Sequence, residues 1–196
     1  MDFATNIAGH ALEYFDSTHT YLVDGKIVPS ITQMLSKRFG HKYDGISDTI
    51  LNEAARKGTE VHKAIEDYCT TGQECDLPEL RNFKFLQRVY GFHVEQNEVP
   101  VILFDGEPIA AGRLDLVLSM NGWRGLADIK RTSVLDKNYL AHQLNLYRLA
   151  YEQSYGEKIE FLRGVHLRND VRRFVEIPIA ETFIKEFINE WRANND

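Results

Sequence analysis

A chain of 196 residues that is 43% hydrophobic and 27% charged is long enough for one sizeable core and too short for two independent enzymatic domains. Its net charge of −6 argues against binding nucleic acid by bulk electrostatics, although a local basic groove is still compatible with it. Because no apolar run approaches the roughly 18 residues that span a bilayer, and the N-terminal residues lack the features of a secretory signal, we expect a cytoplasmic, single-domain protein without a membrane partner.

The N-terminal part predicts a hairpin followed by a short helix. Tyr21–Val23 and Ile27–Val28 alternate like strands on either side of Asp24-Gly25, a residue pair typical of tight hairpin turns. Ser30 or Thr32 can cap the helix that follows. Residues 1–47 are therefore predicted to precede the main core, which would occupy residues 48–196.

Two amphipathic helices are predicted next. Apolar residues recur at three- and four-residue steps from Asp48 to about Thr70, and this register brings His62 close to the buried stripe. Gly58 lies four residues before His62 on the same side, where glycine costs about 1 kcal/mol relative to alanine. The second helix is predicted from Pro78 to Gly91.

A three-strand meander follows these helices. Asp105-Gly106 and Asn121-Gly122 are the turn signals, and Pro100 favours a sheet edge or a bulge for the first strand. The predicted strands are Val94–Phe104, Ile109–Met120 and Trp123–Thr132.

The C-terminal third predicts a helix, a strand pair and a closing helix. The first helix ends at Gly156, and the strands are Ile159–Leu167 and Val171–Ile179. The closing helix has an apolar face made of Phe183, Ile184, Phe187, Ile188 and Trp191. This order of elements predicts an α/β fold in which a central mixed β-sheet is flanked by helices.

Two strand carboxylates and a lysine form the candidate chemical site. Asp128 and Lys130 must point the same way because strand side chains alternate between faces. Asp115 lies in an apolar run, where a carboxylate is costly to bury unless it is paired or bound to metal. Hard cations such as Mg²⁺ or Mn²⁺ prefer oxygen ligands, so Asp115, Asp128 and the backbone carbonyl of Ile129 form a sensible ligand set. We expect Lys130 to orient or activate water for phosphodiester hydrolysis.

Four short segments carry a resemblance to a known family. Gly58–His62, Gly112–Asp115, Asp128–Lys130 and Gln143–Tyr147 resemble, in this order, the motifs of RecB-type nucleases of the PD-(D/E)XK superfamily. The chain looks most similar to small phage exonucleases and to the mitochondrial genome maintenance exonuclease. The resemblance implies one restriction-endonuclease-like domain over residues 1–196 and a DNA exonuclease of phage recombination or replication.

The resemblance also implies roles for individual residues. His62 matches the family's helix histidine, a metal ligand, whereas Asp115, Asp128 and Lys130 match the residues that bind metal and catalyse. Gln143 and Tyr147 match residues that help to position the lysine or the DNA strand, and we include both in the catalytic set.

A glutamate on the strand before the aspartate is frequent in relatives. Glu95 and Glu98 compete for this role, and Glu98 is favoured. DNA contacts are assigned to Arg131, Lys137 and Arg148.

Departures from the family pattern narrow the prediction. Relatives that carry an iron–sulfur cluster use four cysteines, and with only Cys69 and Cys75 this chain should lack such a cluster. Arg131 separates Lys130 from Thr132, which leaves a role for Thr132 in doubt.

Several alternatives stay open at this point. One is a structure-specific DNA endonuclease of the same fold, and another is a non-catalytic DNA-binding protein that retains the fold. A third is a housekeeping α/β protein in which the motifs are coincidental. For a phage exonuclease, the expected partners are DNA and a single-strand annealing or single-strand binding protein.

Overall fold

The computed structural model of the protein describes residues 2–40 and 47–193. In these ranges the chain forms nine strands and five helices. The strands are β1 (Phe3–Ile7), β2 (His10–Phe15), β3 (Thr20–Val23), β4 (Lys26–Val28), β5 (His93–Asp105), β6 (Glu107–Met120), β7 (Trp123–Lys130), β8 (Phe161–Arg168) and β9 (Val171–Ile177). The helices are α1 (Ile31–Phe39), α2 (Asp48–Thr71), α3 (Pro78–Tyr90), α4 (Lys137–Tyr155) and α5 (Glu181–Ala193).

The first four strands form an antiparallel sheet in chain order. The predicted turn at Asp24-Gly25 is confirmed, with φ angles of 50° and 75° that suit a tight hairpin. Ser30 is confirmed as the cap of α1, because its Oγ accepts from the Gln33 amide at 3.0 Å. The predicted hairpin is β3–β4, and β1 and β2, which were not predicted, extend it to a four-stranded sheet. Most of β1 is exposed and lacks an apolar alternation that sequence could reveal.

The second sheet has five strands in the order β5-β6-β7-β8-β9. Only β7 and β8 pair in parallel, because α4 connects them across the face of the sheet, whereas the other neighbours are antiparallel. The turn at Asn121-Gly122 joins β6 to β7 as predicted. Pro100 lies on β5, which is an edge strand, as its missing amide hydrogen requires.

Helices cover both faces of the five-stranded sheet, which confirms the predicted mixed α/β fold. One face packs against α1, α4 and α5, with Val117, Leu126 and Leu144 in its core. The other face packs against α2 and α3, with Leu116 and Ile129 in its core. The apolar face of α5 is confirmed at Ile184, Phe187 and Ile188, whereas the side chain of Phe183 lies outside the described residues.

The four-stranded sheet is docked onto one end of the larger sheet. The Ala111 amide of β6 donates to the Pro29 carbonyl at 3.1 Å, and Tyr14 and Tyr21 share a small buried core with Ile102. This arrangement places the N-terminal sheet beside the first half of β6, which ends two residues before Asp115.

Strands β6 and β7 separate next to the candidate residues. Their pairing runs from Met120 and Trp123 at the hairpin to Leu116 and Ala127. β7 ends at Lys130, two residues before the predicted end at Thr132. Asp115, on β6, and the last residues of β7 therefore lie where the two strands diverge. Among the described residues, no helix is both long and apolar enough to cross a membrane.

Candidate active site

A pocket of about 570 Å³ opens where β6 and β7 diverge. One part of its lining consists of residues singled out from the sequence, which are His62, Glu98, Asp115, Asp128, Lys130, Gln143 and Tyr147. A second part comes from the N-terminal sheet, the start of α1 and β6, and includes Tyr14, His19, Tyr21, Ser30, Thr32, Gln33 and Arg113. The fold therefore brings together side chains from the N-terminal sheet, α1, α2, α4 and three strands of the larger sheet.

The backbone of Ile129 organises the centre of this pocket. Its amide donates to Asp115 Oδ2 at 2.6 Å, and its carbonyl accepts from His62 Nε2 at 3.1 Å. These side chains bond to Ile129 in the stretch where the ladder between β6 and β7 has ended. A buried backbone group needs a partner, so the divergence of the strands holds Asp115 and His62 in place.

His62, Glu98 and Asp115 present a set of donors suited to a metal ion. One donor atom from each lies within 4.8 Å of the other two. His62 Nδ1 is 3.6 Å from Asp115 Oδ1 and 3.9 Å from Glu98 Oε1. An imidazole and two carboxylates are ordinary ligands of divalent cations, so these three residues could hold one.

The charge state of His62 reflects its carboxylate neighbours. Burial lowers the pKa of His62, but the negative charges of Asp115, Glu98 and Asp128 together raise it to about 9. At neutral pH the metal-free protein thus holds an imidazolium among the oxygens that a cation would bind.

Asp128 and Lys130 form an ion pair in the same pocket. Lys130 Nζ lies 2.6 Å from Asp128 Oδ2, and the side chain of Asp128 is only 6% exposed. Burial raises the pKa of Asp128; Lys130 opposes this and Asp115 adds to it. Burial lowers the pKa of Lys130, yet Asp128 and Asp115 together raise it above its usual value, so Lys130 is an ammonium.

Gln143 and Tyr147 lie one helical turn apart on α4 and are both buried. Burial is the main cause that raises the pKa of Tyr147, so it stays a neutral phenol. Gly112 makes room for this ring, because a Cβ at Gly112 would lie 2.9 Å from Tyr147 Cε1. Gln143 Oε1 is buried without a hydrogen-bond partner in the described part of the chain, which leaves an acceptor available to a ligand.

The structure distinguishes the two candidate glutamates. Glu98 lies in the pocket, where its Oε2 is 2.6 Å from Arg113 Nε. Glu95 pairs instead with Arg124 at 2.7 Å. Glu98 has a φ of 50°, which is uncommon for a residue other than glycine and occurs at a pocket residue here.

The three residues assigned to DNA contacts lie in different surroundings. Arg131 Nε pairs with the buried Glu79 at 2.9 Å, and Arg148 Nη1 pairs with Glu152 at 3.0 Å. These intramolecular ion pairs give Arg131 and Arg148 structural partners rather than a position in the pocket. Lys137 is the exposed first residue of α4, so its DNA contact stays a prediction.

Sequence reasoning missed Arg113 and the N-terminal wall of the pocket. Arg113 precedes Asp115 by two residues on β6, so strand alternation alone could have placed it on the same face. Tyr14 and His19, whose hydroxyl and Nδ1 are 2.9 Å apart, had no such signal, because their position depends on how the two sheets dock.

Comparisons with known proteins assign no function to this site. No family model matches the chain, and no curated protein matches it. A solved structure described as "Crystal structure of SSO0001" is similar, with a TM-score of 0.48 and 14% sequence identity. The similarity covers 86% of this chain and 76% of that one.

Proposed function

We propose that the protein is a Mg²⁺- or Mn²⁺-dependent deoxyribonuclease that hydrolyses phosphodiester bonds from DNA ends. The proposal assigns the chain to the PD-(D/E)XK superfamily, whose motifs its sequence resembles. The observation that carries it is the Asp128–Lys130 pair, which lies in the same pocket as the His62, Glu98 and Asp115 donors.

The residues of the pocket fit a hard divalent cation. His62, Glu98 and Asp115 would supply its ligands, together with Asp128 and the carbonyl of Ile129, which accepts from His62 Nε2. Oxygen donors dominate this set. When bound, such an ion lowers the pKa of a bound water and stabilises negative charge on phosphoryl oxygens.

Lys130 is proposed to act on the scissile phosphate as a cation. Its raised pKa keeps it protonated in the free protein, so it can donate a hydrogen bond to a phosphate oxygen or orient the attacking water. Asp128 holds the ammonium in place at 2.6 Å. Gln143 and Tyr147, packed beside the same pocket, are proposed to position Lys130 or the DNA strand.

The preference for DNA ends over the middle of a duplex rests on the resemblance to phage exonucleases. At about 570 Å³ the pocket is in the size range of small-ligand sites, so it can hold a phosphodiester group with its immediate neighbours. The N-terminal sheet forms one wall of this pocket. By the same resemblance, the proposal includes a phage single-strand annealing or single-strand binding protein as a partner.

One set of digestions tests the proposal. End-labelled linear DNA and covalently closed circular DNA are incubated with Mg²⁺, Mn²⁺ or chelator, using the wild type, Lys130→Ala and Lys63→Ala. Lys63 is a matched control because it pairs with Asp67 at 2.7 Å on the exposed side of α2. We expect metal-dependent loss of linear DNA by the wild type and Lys63→Ala, and none by Lys130→Ala.

Other outcomes would point to the alternatives. Cleavage of closed circles would favour an endonuclease of the same fold. Binding of DNA without cleavage, unchanged in Asp128→Ala, would indicate a non-catalytic DNA-binding protein. Activity that survives the chelator or the loss of Lys130 would contradict the mechanism.

A further inference from the structure

Arg113 connects the proposed metal ligands to the N-terminal sheet. We propose that Arg113 is a positioning residue that presents Glu98 to the metal ion and so sets the affinity of the site for Mn²⁺ or Mg²⁺. This inference rests on the proposed function, because it needs the cation site at His62, Glu98 and Asp115.

The contact between Arg113 and Glu98 leaves one carboxylate oxygen for the metal. Arg113 Nε is 2.6 Å from Glu98 Oε2, whereas Oε1 is the oxygen nearest to His62, at 3.9 Å from Nδ1. The Glu98 side chain is only 18% exposed, so it has little freedom to turn. A partner that holds one oxygen of a carboxylate orients the other toward the metal and fixes its geometry.

Glu98 needs such a partner because of where β5 places it. The pairs Asn97–Leu116 and Val99–Leu114 flank it, so Glu98 stands across from Asp115 on the neighbouring strand. Carboxylates that face each other across strands repel. The Arg113 guanidinium pairs with Glu98 and offsets this repulsion.

Arg113 is itself held by the N-terminal sheet. Its guanidinium carbon lies 5.7 Å from the centre of the Tyr14 ring on β2, within the range of a cation–π contact. Tyr14 in turn packs on Tyr21 with ring centres 4.6 Å apart. A chain of contacts thus runs from the N-terminal sheet through Arg113 to a metal ligand.

The protein supplies a matched control for this contact. Arg124 Nε lies 2.7 Å from Oε2 of Glu95, which is on β5 only three residues before Glu98. The exposed fractions of the two arginine side chains are also alike, at 35% for Arg124 and 33% for Arg113. Arg124 also pairs with Glu157 and lies outside the pocket lining, so replacing it removes two ion pairs without touching the proposed ligand.

The test measures Mn²⁺ affinity directly, by electron paramagnetic resonance of the free ion. We expect Arg113→Gln and Glu98→Gln each to weaken Mn²⁺ binding by roughly 10- to 100-fold, as loss of an outer-shell partner or a ligand does. Arg113→Lys keeps the charge but not the fork of donors, so an intermediate loss is expected. Arg124→Gln should bind like the wild type, and the double variant Arg113→Gln with Glu98→Gln should bind no more weakly than Glu98→Gln alone.

Two results would overturn the inference. One is an Mn²⁺ affinity equal to that of the wild type in Arg113→Gln or Arg113→Lys. Only a variant whose thermal unfolding curve shows that it is folded is counted. The other is additive losses in the double variant, which would mean that Arg113 acts independently of Glu98. If the wild type binds Mn²⁺ and degrades DNA in either case, the proposed function stands and only the inference fails. If the wild type binds no Mn²⁺, both fail.

Discussion

Two buried carboxylates in this protein, Glu79 and Asp128, are almost equally hidden from solvent, but their pKa values shift in opposite directions. Glu79 is 3% exposed and Asp128 is 4% exposed. Burial tends to raise the pKa of Glu79, yet the hydrogen bond from the Asn169 amide and the charge of Arg131 lower it overall. For Asp128, burial and the nearby Asp115 outweigh Lys130, and the pKa is raised.

The difference lies in how many partners each carboxylate has. Glu79 accepts from Arg131 Nε at 2.9 Å and from the Asn169 amide at 3.0 Å, so its charge is balanced within the fold. Asp128 shares its pocket with Glu98 and Asp115, and the negative charge of Asp115 adds to the effect of burial in raising its pKa. Removing one partner from a buried ion pair such as Glu79–Arg131 destabilises the fold, whereas the carboxylates around the pocket are the ligands of the proposed cation site.

The largest expected effect is a loss of DNA cleavage when Asp128 of the pocket is replaced. Asp128→Asn removes a proposed metal ligand and the anchor of Lys130, so cleavage of DNA should fall by about 10²- to 10³-fold or more. The free energy of unfolding should fall less than in Glu79→Ala, because asparagine can still accept a hydrogen bond from Lys130 and folding disfavours the ionised form of a carboxylate whose pKa is raised. Single-turnover cleavage and urea unfolding measure the two effects. If the Asp128→Asn variant cleaved DNA like the wild type, Asp128 would have no more role in cleavage than Glu79.

The converse change should affect stability instead. Glu79→Ala leaves the buried Arg131 guanidinium without its carboxylate, which should lower the free energy of unfolding by about 3 kcal/mol. Urea unfolding measures this loss. Cleavage by the folded fraction should stay within about threefold of the wild type, a difference below 1 kcal/mol. A much larger loss of cleavage in fully folded protein would mean that this ion pair also serves the pocket.

The pH dependence of metal binding tests the charge state of the pocket. Because the pKa of His62 is raised to about 9, a metal ion that takes His62 as a ligand must displace its proton. Mn²⁺ affinity should therefore rise by up to about tenfold per pH unit from pH 6.5 toward pH 9. Calorimetry in buffers of different ionisation enthalpy should show close to one proton released per ion near pH 7.5. Release of no proton would show that His62 is neutral or is not a ligand.

Protonation of His62 also affects the metal-free protein, whose stability should fall as the pH rises. The folded-state pKa of His62 lies above the ordinary value, so the stabilisation from its contacts with Asp115 and Glu98 is complete below about pH 6.5. This stabilisation is lost as the pH rises through about 9. Urea unfolding with chelator present should show the loss in the wild type and a flatter profile in His62→Asn.

The smallest effect concerns Gly58, which lines the pocket one turn before His62. A Cβ at Gly58 would meet nothing within 4 Å in the free protein, so Gly58→Ala should stabilise α2 by about 0.5–1 kcal/mol. If the DNA strand passes along this side of α2, the methyl group should weaken its binding by about 1 kcal/mol, roughly a fivefold rise in KM. Gly58→Ser should raise KM further. Unchanged KM values would place the strand elsewhere.

The core of the site could be predicted from sequence because its residues are close along two adjoining strands. Asp128 and Lys130 share a face by strand alternation, and the Asn121-Gly122 turn brings β6 back beside β7. The choice between Glu95 and Glu98 could not be settled in this way. Register shifts between Val94 and Gln96, and the left-handed conformation of Glu98, interrupt the alternation of β5.

Other parts of the structure depend on contacts that local patterns do not record. The mostly exposed β1 has no apolar stripe, and the docking of its sheet decides where Tyr14 lies. Arg148 is different, because it follows Leu144 by four residues on a buried helix face. Helical periodicity therefore predicts that Arg148 is an interior residue, and the structure buries it. Its assignment to DNA contact did not take this periodicity into account.

The docking of the N-terminal sheet has a consequence for how this protein can be shortened or recombined. The sheet and α1 supply Tyr14, Tyr21 and Ser30 to the cavity wall, and Tyr14 also supports Arg113. A fragment beginning at α2 would retain every carboxylate and Lys130 but would open the cavity on one side. Transplanting the strands of the candidate site into another scaffold would thus require carrying the first 40 residues along with them.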